Sequence, residues 1–106
     1  MHRLKSDEIF HFYAGDPAEI LLLDSNESNS SKAIIGNNLL ANQTPQLVIP
    51  RGTWQGMRTL GEWTLLGCTV SPGFEYADYE SGRRRELVGR YPEFRELIEA
   101  LTEPLS

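Results

Sequence analysis

One cysteine in 106 residues leaves no partner for an internal disulfide, so the fold must rest on packing and hydrogen bonds. Cys68 lies in the apolar run Leu65-Leu-Gly-Cys-Thr-Val70 and reads as a buried small hydrophobe in a reducing compartment. No apolar stretch approaches the roughly 18 residues of a spanning helix, and no charged-then-apolar leader pattern follows Met1. Neither a membrane span nor a signal peptide is expected, and the expected location is cytoplasmic. Positive charge is scarce as well. Ten Lys and Arg stand against fifteen Asp and Glu, a formal net charge of −5. That balance argues against nucleic-acid and anionic-membrane partners, which require clustered cations. The run Arg83-Arg84-Arg85 reads as a solvated lead into a helix, paired with nearby Glu residues. Also missing are a nucleophile elbow, a phosphate-cradling Gly-rich loop, a dinucleotide fingerprint and a paired-cysteine metal knuckle. The commonest motif-bearing enzyme classes are thereby excluded.

What is present is a succession of short apolar runs broken by turn residues, which favours an all-β sandwich or barrel. Strands are expected near Met1–Leu4, Glu8–Tyr13, Glu19–Asp24, Lys32–Gly36, Gln46–Pro50, Trp54–Arg58 and Glu62–Val70. Gly15-Asp16-Pro17 and Gly36-Asn37-Asn38 are turn signals. Ser25 to Ser31 is too polar to bury and is expected to be a mobile hairpin loop. Pro72-Gly73 should stop the last long strand. Beyond it, Phe94, Leu97, Ile98 and Leu101 follow the i, i+3, i+4, i+7 spacing of one helix face, preceded by Leu87, Val88 and Tyr91. Two short helices within Arg84 to Leu101 are predicted, with a break at Tyr91-Pro92, packed outside the sheet. Glu86, Glu93, Glu96 and Glu99 should face solvent. The length fits one domain over 1–106, with a barrel over about 1–78 and a helical tail over about 83–102.

Three segments share a more specific pattern. They are His2 to Gly15 (His-Arg-Leu-Lys-Ser-Asp-Glu-Ile-Phe-His-Phe-Tyr-Ala-Gly), Val48-Ile-Pro-Arg-Gly-Thr-Trp-Gln55, and Leu66-Gly-Cys-Thr-Val-Ser-Pro-Gly-Phe-Glu-Tyr-Ala-Asp78, with the tail Arg85 to Glu93. Together they resemble a group of small single-domain cupins, an RmlC-like family long treated as a domain of unknown function. The resemblance implies a cupin-like jelly-roll β-barrel with an internal pocket, often dimeric. It also implies that Glu8 points into the barrel. Leu4 and Gln55 then stand where that fold normally carries histidines. Members of the family usually have further strands before the segment that begins here at Met1-His2. A barrel completed by a second copy, or one with an open side, is expected, and an unpaired edge favours a homodimer.

If Glu8 faces inward, strand alternation puts Phe10 beside it and sends Ile9, His11 and Tyr13 to the other face. The same alternation turns Gln55 and Met57 inward and Trp54, Gly56 and Arg58 outward. The expected ligand-binding set is His2, Leu4, Glu8, Phe10, Gln55 and Met57, a small polar cluster with apolar walls. Three readings follow. The leading one is binding of a small molecule, sugar-like or carboxylate-bearing. The second is an isomerase or epimerase in which His2 and Glu8 are the catalytic acid/base pair. The third is a metal-dependent cupin enzyme using His2, Glu8 and Gln55 for a divalent ion (Zn, Ni, Fe or Mn), a ligand set depleted of histidine. His11 is expected at the surface or an interface, and Arg51 at the barrel mouth in a surface role, with pairing to an anionic substrate as the alternative. Trp54, Trp63, Phe74 and Tyr76 are expected in core or interface packing. Glu75 and Asp78 would not share a face and carry no catalysis.

Overall fold

The computed structural model describes residues 1–73 and 79–103, and of Ser28 the backbone alone. Nine strands are found among the described residues: β1 (His2–Arg3), β2 (Asp7–Gly15), β3 (Ala18–Leu23), β4 (Ser31–Ile35), β5 (Gln43–Thr44), β6 (Gln46–Ile49), β7 (Trp54–Thr59), β8 (Thr64–Ser71) and β9 (Glu80–Ser81). They are followed by α1 (Arg84–Arg90), a 3-10 turn (Pro92–Phe94) and α2 (Arg95–Ala100). All seven expected strands are present within two residues of their expected ends. The two-residue strands β5 and β9 are too short to leave a periodic signal in the sequence.

The strands form two sheets, in the orders β5-β4-β3-β7-β1-β9 and β6-β2-β8. Every ladder is antiparallel except β4 with β5. The closed barrel expected from the sequence is corrected here: no single sheet closes on itself. At one side the two sheets meet through Pro45, whose carbonyl accepts from the Phe12 N–H at 2.8 Å. At the other, β8 ends at Ser71 because Pro72 has no N–H to extend a ladder. No ladder joins β8 to β9 among the described residues.

Two apolar cores lie on opposite faces of the larger sheet. Phe10, Ile20, Ile35 and Ile49 fill the space between the sheets, with Phe12, Leu22, Leu47, Met57 and Leu66 packed against them. On the outer face, Leu21, Leu23 and Trp54 meet Leu87, Tyr91, Leu97 and Ile98 of the helical tail. The run Leu21-Leu22-Leu23 on β3 is apolar at successive positions because it is covered on both faces. Each fully buried Leu or Ile in these cores contributes about 1.5–3 kcal/mol of transfer free energy.

The tail is short, so tertiary contacts hold it in place. Pro92 separates the helices as expected. The Arg84 guanidinium donates to the carbonyls of Glu99 and Thr102 and to Thr102 Oγ1, satisfying the last carbonyls of α2. Arg84 is therefore a helix cap and not part of a solvated run, while Arg83 and Arg85 are exposed. Glu86, Glu93 and Glu96 are exposed and Glu99 half-buried. The polar segment 25–31 carries a 3-10 turn (Glu27–Asn29) tied to α1 by Arg90, which bonds Glu27 Oε1 and the Ser25 carbonyl, each at 2.9 Å. No helix among the described residues is long and apolar enough to cross a membrane.

Candidate functional site

Glu8 opposes Ile49 of β6 and Val70 of β8, so it sits in the centre of the three-stranded sheet. Alternation along β2 buries Glu8 and Phe10 between the sheets and exposes Tyr13 on the far side. Across the interior, β1 and β7 run antiparallel with His2 and Gln55 as direct partners. The two sheets thus bring His2, Glu8 and Gln55 together, as the sequence led one to expect.

A buried carboxylate must recover the hydration it loses. Glu8 does so with donors on both oxygens. Gln55 Nε2 donates to Oε1 at 2.5 Å, and Cys68 Sγ donates to Oε2 at 2.6 Å. His2 Nε2 stands 3.9 Å from Oε1, beyond hydrogen-bond length. The imidazole is held by a stack on Tyr79, centroids 5.2 Å apart and planes 16° from parallel. Burial raises the carboxyl's pKa, but His2, Cys68 and Gln55 together outweigh it, and the group ends below its ordinary value. Cys68 moves the other way. Desolvation, then its bond to Glu8 and the charge there, push the thiol up to about 12. It is a neutral donor at physiological pH, not a nucleophile.

One atom of the cluster is unsatisfied. Gln55 is 2% exposed, and its Nε2 is committed to Glu8. Its Oε1 then has no hydrogen-bond partner among the described residues. Turning the amide over would aim that oxygen at the carboxylate, so the orientation is fixed by charge. A buried acceptor left open costs about 1–3 kcal/mol.

The remaining expected residues divide. Phe10 and Met57 line the inner apolar core next to the cluster. Leu4 is buried but faces a separate hollow beside Arg3, Lys5 and Arg51. His11 lies on the outer face, within 3.0 Å of Thr69 Oγ1 and 3.3 Å of Gln46 Nε2. Trp54 is in the outer core, while Trp63 is exposed. Phe74, Glu75, Tyr76 and Asp78 lie outside the described residues. The expectation of a buried Cys68 is corrected: it is exposed. Its register opposite Phe10 points it inward, but among the described residues β8 is paired on one side alone, and the thiol is exposed there. Cys68 and Tyr79 are the site residues that sequence reasoning missed. Alternation along Leu66, Cys68 and Val70 could have placed the thiol inside. The pairing that sets it diagonally across from Glu8 had no local signal.

Nine short strands around an inward carboxylate with two committed donors define a small β domain with an internal polar site. Residues 1–82 match the family model described as Cupin superfamily (DUF985), and the chain belongs to that family. An X-ray structure of a protein from Shewanella oneidensis is similar at 32% identity and a TM-score of 0.89, over 97% of this chain and 65% of that one. A hypothetical protein from Leishmania major is similar at 25% identity and a TM-score of 0.83, over 95% of this chain and 66% of that one. This chain therefore spans about two thirds of the length of each. No curated protein matches it.

The donor set does not fit a divalent metal. Both Glu8 oxygens already accept bonds, Gln55 turns its NH2 and not its carbonyl toward the carboxylate, and Leu4 offers no donor. Among the described residues no three His, Cys, Asp or Glu side chains are grouped to hold an ion.

Proposed function

We propose that this cupin binds a small hydroxyl-bearing molecule, sugar-like in chemistry, in the interior beside Glu8. The open acceptor on Gln55 carries the reading: a ligand hydroxyl that donates to Gln55 Oε1 completes the one unsatisfied group of the cluster. Phe10 and Met57 supply apolar wall for a sugar's C–H face. A carboxylate is disfavoured at this spot, because the ionised Glu8 repels it. The test is an NMR titration of the protein with a panel of neutral monosaccharides. Saturable shifts centred on the Gln55 side-chain amide, lost in Gln55→Leu, are expected. Binding of equal strength in Gln55→Leu, or none from any sugar, overturns the reading.

Proton transfer by His2 and Glu8 is the second reading, and their 3.9 Å contact favours it. Against it, a carboxylate held below its ordinary pKa is a weak base near neutral pH. Loss of turnover in both His2→Ala and Glu8→Ala, for any sugar that binds, would reverse the ranking. A metal-dependent activity ranks third, because its ligands are engaged elsewhere. A homodimer is part of the proposal. The outer face of the three-stranded sheet exposes Tyr13, Val48 and Leu65, with Trp63 beside β8, apolar side chains that a second copy would cover. Sedimentation should find a dimer that Tyr13→Glu with Val48→Glu converts to monomer. The reduced single cysteine fits a cytoplasmic setting.

A further inference from the structure

We propose a second site, separate from the inner cluster, in the hollow beside the Pro50–Thr53 turn: a seat for a compact oxyanion, a phosphate or carboxylate carried by a small molecule. The hollow encloses about 530 Å³ and is lined by Arg3, Lys5 and Arg51, with Leu4, Gly52 and Tyr79 as walls. Three of the ten basic residues of an acidic chain surround this one depression. Among the described residues Glu80 is the one acid that lines it, and it is taken by Arg3 at 2.7 Å. With Arg3 balanced by Glu80, Lys5 and Arg51 leave the depression an excess of positive charge, which concentrates a counter-ion.

The cations differ in how firmly they are held. Arg3 is fixed, its guanidinium 4.3 Å above the Trp54 ring and its Nε on Glu80. Arg51 is fixed through its backbone. The Thr53 N–H donates to the Pro50 carbonyl and Gly52 has φ +77°, the geometry of a type II turn with Arg51 at its second position. Two further bonds pin that turn to the β1–β2 connection: Gly52 N–H to the Leu4 carbonyl at 2.8 Å, and Arg51 N–H to Asp7 Oδ1 at 2.9 Å. The same bonds bring Arg51 alongside Lys5. Arg51 Nε is 3.8 Å from Asp7 Oδ1, a loose exposed pair, and Lys5 forms no ion pair among the described residues. Lys5 on the β1–β2 connection and Arg51 on the turn, held by Asp7 alone, thus line the hollow together, and Arg51 can offer a two-pronged grip on an oxyanion.

The site is shallow, so an isolated anion should bind weakly, with Kd on the order of 1–10 mM. The experiment is an NMR titration of the full chain with inorganic phosphate, and separately with acetate, at ionic strength matched by sodium chloride. Saturable shifts are expected at the amides of Leu4, Lys5, Arg51 and Gly52, larger for phosphate. In Lys5→Gln with Arg51→Gln, whose unchanged spectrum elsewhere confirms folding, the Kd should rise at least about tenfold. Equal shifts from chloride alone, or an unaltered Kd in the double variant, would overturn the site. Gln55→Leu, which disables the inner cluster, separates the two sites. Anion binding that survives there supports the hollow, and binding that vanishes there places the anion at the inner cluster and refutes it. Sugar binding can fail without touching this result.

Discussion

The two sheets of this domain solve the same problem in opposite ways. The six-stranded sheet is covered on both faces: inside by the opposing strands, outside by α1 and α2 over Leu21, Leu23 and Trp54. The three-stranded sheet is covered on one face. Its other face leaves Tyr13 and Val48 in water, and its edge strand β8 leaves Cys68 accessible from the side. The polar cluster takes one half from each sheet. His2 and Gln55 come from the doubly covered one, Glu8 and Cys68 from the half-covered one. Gln55 and Glu8 are buried, while His2 and Cys68 are reached by water.

The contrast can be broken most directly in stability. Leu23→Ala or Ile98→Ala, on the doubly covered side, should cost about 2–5 kcal/mol in denaturant unfolding. Val48→Ala, on the bare face, should stay within about 0.5 kcal/mol. Similar losses at both would mean that the bare face is covered in solution.

The open edge is sharpened by thiol chemistry. Cys68 is exposed yet pushed up to about 12, so alkylation by iodoacetamide at pH 8 should be much slower than for a free thiol. Removing the anion in Glu8→Gln lowers the thiol's pKa and should speed labelling by roughly threefold or more. An unchanged rate would show that the thiol does not contact the carboxylate.

A smaller effect is expected in acid. Glu8 in the folded protein lies below its ordinary pKa. Its contribution to stability is therefore complete above the unfolded carboxyl's value and is lost as pH falls through the folded one. Unfolding free energy of the parent should fall more steeply with acid in that window than that of Glu8→Gln. Parallel curves would remove Glu8 from the list of groups that stabilise the fold.

Much of this arrangement is legible in the chain, and the unread part has physical causes. Glu8, Phe10 and Phe12 at spacing two announce a strand with one buried face. His2 and Gln55 could be brought to Glu8 only through a family resemblance, since strand pairing between positions 2 and 55 leaves no local mark. The Leu21-Leu22-Leu23 run signals burial but not what covers each face. The amphipathic spacing of Phe94, Leu97, Ile98 and Leu101 supplied the cover without its place. Cys68 misled because apolar neighbours in sequence are not neighbours in space: at an edge strand an inward side chain can still meet water. Closure could not be judged from the pattern either, since the strand that joins β1 at that side, β9, has two residues and leaves no periodic signal.

The central claim is that the Glu8 carboxylate faces inward and is held ionised by Gln55, Cys68 and His2. Following the Glu8 side-chain carboxyl carbon by 13C NMR across an acid titration tests it with no ligand required. A midpoint below that of an ordinary glutamate is expected, rising in Gln55→Leu. A midpoint at or above the ordinary value, unmoved by that substitution, would contradict it.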